Sequence, residues 1–183
     1  MRGNFEINFF DIKNGFPENI PCPFELEKLT KWENKNGYPI SGSFELRADN
    51  YKDAMFCWFG FKDVDSVLGL FGNGADGSYY CIWDDQSGNY PIVYMGSEGQ
   101  DNKILASNFI DFLRLLAIGY EDIGSDDMNY PPLEDKSRPD FQEWVSKEFT
   151  VKIPSTGAAI TEQAQNFHID FSKWIETVCE KYS

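Results

Sequence analysis

The spacing of hydrophobic residues in the middle of the chain changes at Asn108. Before that residue, short apolar runs at 78–83, 91–95 and 103–106 are rich in aromatic and β-branched side chains, and a polar stretch at 84–89 separates the first two. Runs of this length, bounded by turn residues, predict strands, and such short connections predict that the strands are antiparallel. The sequence therefore predicts a β-meander in this region.

Helical periodicity begins directly after Asn108. Apolar residues recur at intervals of three and four positions, at Phe109, Phe112, Leu113, Leu116 and Ala117. This spacing predicts a helix over residues 107–118 that packs its apolar side on the sheet. Asn108 is a suitable N-cap, and Gly119 can take the left-handed conformation that ends a helix.

Weaker patterns precede this central region. Residues 24–33 predict a helix, because Leu26, Leu29 and Trp32 fall roughly on one side of it. Residues 44–47 alternate like a short strand, and the aromatic-rich run at 54–61 predicts a buried strand.

Two helices are predicted in the last third of the chain, after an acidic loop. Residues 120–138 form an acidic loop, Pro139 suits the first turn of a helix, and residues 171–182 keep helical spacing over three turns. Strands gathered in the middle with helices after them indicate an α+β fold. We predict a single domain over residues 1–183, a central antiparallel sheet with helices packed mainly on one face.

Composition agrees with one folded domain that needs no metal or disulfide. The chain has 183 residues, of which 42% are hydrophobic, and a chain of this size buries about 70% of the surface that its unfolded form exposes. The four cysteines are Cys22, Cys57, Cys81 and Cys179, and their wide spacing favours reduced core thiols over zinc or disulfide use. The sequence contains no secretory leader pattern and no apolar run long enough to span a membrane, so we expect a cytoplasmic protein.

The negative charge is concentrated in one region of the chain. The net charge is −14, and residues 63–135 carry fourteen acids against two bases, Lys103 and Arg114, which is a local net charge of −12. Such a region repels nucleic-acid phosphates and attracts a basic protein. The alternative is a solvated surface that serves solubility alone.

Motifs for catalysis or cofactor binding are incomplete. Residues 72–77 satisfy GxGxxG, but a strand follows where a dinucleotide site needs a helix, so we expect no cofactor. The single histidine, His168, rules out metal sites built on histidine clusters and is predicted to be a surface or capping residue. A hydrolytic carboxylate pair among Asp84, Asp85, Glu98 and Asp101 stays open, because sequence spacing does not give the distances between them.

Four segments follow one another in the middle of the chain: Gly74-Ala75-Asp76-Gly77-Ser78, Ile82-Trp83-Asp84, Pro91-Ile92-Val93-Tyr94-Met95-Gly96-Ser97-Glu98-Gly99, and Leu105 to Ala117. In this order they resemble the SUKH superfamily, which includes a fungal regulator of cell-wall synthesis and many bacterial immunity proteins. The best-matched core is 72–118, Phe141 to Val145 and Phe171 to Ile175 in the C-terminal part at 137–183 resemble the family's later aromatic helices, and residues 1–60 match poorly. Within the core, Asp76, Gly77, Gly96, Ser97, Gly99 and Asn108 are expected to have structural roles.

The resemblance implies an α+β protein without catalytic residues that binds and neutralises a protein toxin. With the regional charge, it suggests a toxin that has a basic face, contacted by acidic loop residues. The candidate contacts are Asp84, Asp85, Glu98, Asp101, Asp126 and Asp127. For Ser97 and Glu98, bonding to nearby backbone N–H groups is the favoured role. An interaction module linked to cell-wall or glucan synthesis is the alternative.

Overall fold

A single antiparallel sheet forms the centre of the computed structural model, which describes residues 6–60 and 67–182. Its five strands lie side by side in chain order: β1 (Glu45–Leu46), β2 (Leu68–Asn73), β3 (Tyr79–Trp83), β4 (Ile92–Met95) and β5 (Lys103–Ala106). The predicted meander of β3, β4 and β5 is confirmed, with Tyr80 opposite Tyr94 and Ile82 opposite Ile92. The α+β class is confirmed as well.

The described residues also form seven helices, three before the sheet is complete and four after it. They are α1 (Phe9–Gly15), α2 (Phe24–Asn36), α3 (Tyr51–Phe59), α4 (Phe109–Ile118), α5 (Pro139–Glu148), α6 (Ala158–Phe167) and α7 (Phe171–Tyr182). Helix α4 has the predicted N-cap and the predicted end, and it begins at Phe109, two residues later than predicted. The Asn108 side chain accepts a hydrogen bond from the Asp111 backbone N–H, and Gly119 has a φ of 92°.

More helices pack on one face of the sheet than on the other, as predicted, and a smaller group covers the opposite face. One face presents Tyr80, Ile82 and Tyr94 to a core that includes side chains of α1, α2, α4 and α5. The opposite face presents Cys81 and Trp83 to a second core formed with α3 and α7. The physical reason is that β3 and β4 are apolar at every position, so each face must be shielded from water.

Residues 54–59 are helical and Gly60 ends the helix, which corrects the strand predicted for 54–61; the last position, residue 61, lies outside the described residues. Asn50 accepts a hydrogen bond from the Lys52 N–H at the start of α3, and Gly60 closes the helix with a φ of 75°. Met55 and Phe59, four positions apart, are both buried. Strand β2 and helix α6 have no counterpart in the prediction, and the acidic stretch predicted from Asp63 includes Asp63 and Asp65, which also lie outside the described residues.

An arginine connects the two helices that lie on the outer side of the first core. The Arg138 guanidinium donates hydrogen bonds to the carbonyl oxygens of Gly37 (2.6 Å) and Pro39 (2.8 Å), directly after α2. It also stacks on Trp32, 4.7 Å from the ring centroid. Because Arg138 immediately precedes α5, these contacts hold the start of α5 against the end of α2.

Neither edge of the sheet presents a long open strand. Strand β1 has only two residues. At the other edge, α6 packs along β5, and the side-chain amide of Gln165 donates a 3.0 Å hydrogen bond to the Ile104 carbonyl oxygen.

The cysteines occupy different environments, and none forms a disulfide within the described residues. Cys81 is buried in the sheet, where its thiol lies 3.9 Å from the Met95 sulfur. Burial raises the pKa of the half-buried Cys22 thiol to about 11. Cys57 is exposed on α3, which corrects its assignment to the core.

Candidate partner-binding surface

Two hairpin turns meet at one end of the sheet through Asp76. One carboxylate oxygen of Asp76 accepts a hydrogen bond from the Ser78 N–H within the β2–β3 turn (3.0 Å). The other accepts one from the Ser97 hydroxyl in the β4–β5 turn (3.1 Å). Burial opposes ionisation of Asp76, but the bonds from Ser78 and Ser97 outweigh it and lower the pKa. Ser97 therefore joins the two turns through a side chain, where the sequence suggested a bond to a backbone N–H.

The β4–β5 turn is closely fitted at Gly96. The Gly96 N–H donates to the side chain of Asn102, and its carbonyl oxygen accepts a 2.9 Å hydrogen bond from the Trp58 indole N–H. A Cβ at this position would overlap the Gln100 carbonyl oxygen. The turn thus has a fixed shape, and it holds the predicted contacts Glu98 and Asp101 in exposed positions.

A third loop, following α4, lies over the same end of the sheet. Its anchor is Asp122, which accepts hydrogen bonds from the Tyr80 hydroxyl (3.1 Å) and the Gly124 N–H (2.8 Å). The Asp122 N–H in turn donates to the Asp126 carboxylate (3.1 Å). Gly124 rests directly on the Tyr94 ring, where a Cβ would overlap the ring carbons. Sequence reasoning missed Asp122, because its role depends on a tyrosine 42 positions earlier in the chain.

Carboxylates from the three loops act on the same pair of tyrosines. Burial is the main reason that the pKa of Tyr94 rises to about 12, and the negative charges of Asp122, Asp76 and Asp101 add to the rise. The pKa of Tyr80 is also raised, by burial and then by Asp122. We call this region the acidic end and define it by Asp76, Glu98, Asp101, Asp122 and Asp126. These five carboxylates lie near one positively charged residue, Lys103, which lies opposite Tyr94 on β5, so the negative charge predominates.

Asp127, the next predicted contact, extends the acidic end into solvent. It is exposed, and its carboxylate accepts hydrogen bonds from the backbone and side-chain N–H groups of Asn129. These bonds lower the pKa of Asp127, so it is ionised at neutral pH.

Asp84 and Asp85 lie at the opposite end of the sheet, in the β3–β4 turn. Asp85 is only 4% exposed, which corrects the expectation that this side chain faces a partner. Its carboxylate accepts hydrogen bonds from the backbone N–H groups of Ser87 and Asn89 and from the Asn89 side chain. Burial opposes ionisation, yet these bonds lower the pKa of Asp85. Asp84 is half-buried and accepts one bond, from the Gln86 N–H (2.8 Å).

His168 is buried against Asp85, which corrects its assignment to the surface, although it does cap the end of α6 as expected. Its Nδ1 is 3.6 Å from Asp85 Oδ2, and both side chains are 2% exposed. Neither ring nitrogen has a hydrogen-bond partner in the part of the chain that the structure describes.

The possible hydrolytic pair is separated by the length of a strand. Asp84 and Asp85 precede β4, whereas Glu98 and Asp101 follow it. Four residues of strand span about 13 Å at about 3.3 Å per residue. Carboxylates that cleave glycosidic bonds lie about 5 to 10 Å apart, so a pair with one member at each end of β4 is too widely spaced for this reaction.

The GxGxxG segment is the end of β2 and a hairpin turn. The Gly74 N–H donates to the Ser78 carbonyl oxygen, the Gly77 N–H donates to the Gly74 carbonyl oxygen, and strand β3 follows directly. Over residues 6–60 and 67–182, no three histidine, cysteine or acidic side chains converge in a way that could hold a metal ion. No helix in these two ranges has both the length and the apolar character needed to cross a bilayer.

Comparison with known proteins yields no relative. The chain matches no family model, no curated protein and no solved structure.

Proposed function

We propose that this chain is a cytoplasmic immunity protein that binds a cognate protein toxin with a basic face and neutralises it. The observation that carries the proposal is the convergence of acidic residues from three separate loops at one end of the sheet. The resemblance of residues 72–118 to the SUKH superfamily supports the same function.

The arrangement suits fast recognition of a basic protein. Carboxylates on neighbouring loops add their fields, and attraction between oppositely charged surfaces raises the rate of encounter by 10-fold to 1,000-fold at low salt. Ser97 joins two of the loops, Asn102 closes the β4–β5 turn, and Asp122 bonds the third loop to Tyr80 of β3, so binding does not have to order the loops.

The test is protection of growth in a laboratory host that expresses the product of the gene next to this one. Coexpression of the wild-type chain should restore growth, and the two purified proteins should form a stoichiometric complex. The informative variant neutralises Glu98→Gln, Asp101→Asn and Asp126→Asn together. Asparagine suits position 101 because the φ there is 59°, and at position 126 it keeps an acceptor for the Asp122 N–H.

A matched control removes three charges elsewhere: Glu162→Gln, Glu176→Gln and Glu180→Gln, on α6 and α7. We expect the first variant to associate on the order of tenfold more slowly at low salt and to approach wild type at high salt. The control should associate like wild type at both. Equal rates for the two variants would refute the role of the acidic end, and absence of protection by the wild-type chain would refute the immunity function.

A further inference from the structure

The loop between α4 and α5 forms a groove of about 610 Å³, which has no role in the function proposed above. Its apolar side consists of Tyr130, Pro131, Pro132 and Leu133. Tyr130 is 66% exposed and Leu133 is fully exposed. Large apolar side chains that lie together in solvent, with charged groups around them, are typical of an interaction site.

The groove is preformed, because the loop is tied to the body of the protein by internal hydrogen bonds. The buried Tyr120 hydroxyl donates to the Tyr130 carbonyl oxygen (2.7 Å) and accepts from the Gly157 N–H (3.1 Å). The Lys136 N–H donates to the Gly119 carbonyl oxygen (2.9 Å), which closes the base of the loop. A ligand therefore meets a rigid surface and has little loop ordering to offset.

Charge around the groove is strongly one-sided. Among the described residues that line it, four are acidic and one is basic: Glu121, Asp126, Asp127, Glu134 and Lys136. The Lys136 ammonium is engaged by Glu134 (2.8 Å) and Glu121 (3.4 Å), which leaves a net negative rim beside an apolar wall. The complementary ligand has cationic groups on either side of an apolar group.

We propose that this groove binds an extended basic segment of the partner protein, with one apolar side chain of that segment packed against Leu133 and Tyr130. Flanking lysine or arginine side chains reach Asp126, Asp127 and Glu134. The inference rests on the proposed function for the source of the segment, which is the toxin, and it adds a second contact area beside the acidic end. Charge at the rim raises the association rate, and the apolar contact sets the lifetime of the complex.

The first test uses a defined probe in place of the toxin: a fluorescein-labelled peptide of sequence lysine-arginine-phenylalanine-arginine-lysine, measured by fluorescence anisotropy at low salt. One control peptide has glycine in place of phenylalanine, and another has glutamate in place of all four basic residues. The expected order of affinity is the probe, then the glycine peptide, with no binding of the glutamate peptide. Equal affinity of the probe and the glycine peptide would mean that charge alone accounts for binding, and this result would overturn the proposal.

The protein variant that isolates the groove is Leu133→Ser, and its control is Ile169→Ser, which alters an apolar residue that is 53% exposed elsewhere. Because Leu133 is fully exposed, its replacement should leave the melting temperature unchanged. We expect about a tenfold loss of affinity for the probe with Leu133→Ser and no loss with Ile169→Ser. No loss with Leu133→Ser would overturn the proposal. So would self-association of the wild-type chain that Leu133→Ser abolishes, since the groove would then belong to a contact between copies.

The same variants in the growth assay distinguish the two proposals. Protection and probe binding that are both weakened by Leu133→Ser support both. Probe binding without any protection by the wild-type chain refutes the immunity function and leaves the groove as a basic-peptide site. Full protection by Leu133→Ser places the toxin contact elsewhere and overturns the groove, while the immunity function stands.

Discussion

The neighbouring residues Asp84 and Asp85 give a sharp test of the structure, because the sequence suggested the same role for both. We consider replacement of each by alanine. Asp85 is buried and accepts three hydrogen bonds, whereas Asp84 is half-buried and accepts one. The two variants should therefore differ in stability although they differ by one position in the chain.

The magnitude follows from the bonds that each variant loses. Hydrogen bonds to charged groups contribute about 1.5 to 3 kcal/mol each. Two of the three donors to Asp85 are backbone N–H groups in a turn that water can reach. In the variant, water can bond to these groups, so part of the lost free energy is regained. We expect a loss of about 2 to 4 kcal/mol of unfolding free energy for Asp85→Ala, and about 0.5 to 1 kcal/mol for Asp84→Ala. At about 2 to 4 °C per kcal/mol for a domain of this size, the melting temperature falls by about 5 to 15 °C for Asp85→Ala.

The pH dependence provides an independent check. The folded pKa of Asp85 lies below its unfolded value of about 3.9, so ionised Asp85 stabilises the fold above that pH. This contribution is lost as the pH falls through the folded pKa. The difference in melting temperature between wild type and Asp85→Ala should thus be larger at pH 5 than at pH 3 and should shrink as the pH falls below about 4.

The assay is differential scanning calorimetry or circular dichroism at pH 7, 5, 4 and 3, together with urea titration at pH 7. Equal and small shifts for the two variants would show that Asp85 is not buried and bonded as described. A difference that grows below pH 4 would contradict the sign of its pKa shift.

Two further variants test contacts between distant segments. Arg138→Lys keeps the charge but loses the guanidinium hydrogen bonds that join α5 to the end of α2, so the free energy of unfolding should fall by about 1 to 2 kcal/mol. The control is Arg47→Lys, at a side chain that is 50% exposed, and it should lose less than about 0.5 kcal/mol. Tyr120→Phe leaves the Gly157 N–H and the Tyr130 carbonyl oxygen without their partner, so the free energy of unfolding measured by urea titration should fall by about 1 to 2 kcal/mol. The variant should also bind the basic peptide more weakly, and unchanged peptide affinity would show that Tyr120 does not position the groove.

The parts of the fold that local sequence specifies were predicted well. The turn at Asp76 and Gly77, the meander and helix α4 each depend on residues a few positions apart. Residues 54–59 were assigned to a strand because aromatic residues favour strands, but Asn50 and Gly60 supply helix ends and Met55 and Phe59 lie on one helical side. The continuous apolar character of β3 and β4 was a visible signal that both faces are covered.

The candidate surface was less predictable because it depends on contacts across the chain. Nothing local separates Asp84 from Asp85, since Asp85 is buried against His168, 83 positions later. Asp122 has its role through Tyr80, and the groove depends on a bond between Tyr120 and Gly157. Charge counting located the acidic stretch, but only the fold shows that Asp84 and Asp126 belong to opposite ends of the sheet.

The two edges of the sheet restrict how a partner can attach. Many peptide-binding domains gain affinity by accepting an extra strand, whose backbone forms hydrogen bonds with an open edge. Here Gln165 already occupies a carbonyl oxygen on the outer edge of β5, and β1 is too short to guide a long strand. If the chain binds a protein as proposed, recognition then depends on side chains of the two surfaces. A few changes on the surface of such a partner would weaken the complex, and changes in this chain would be needed to restore it.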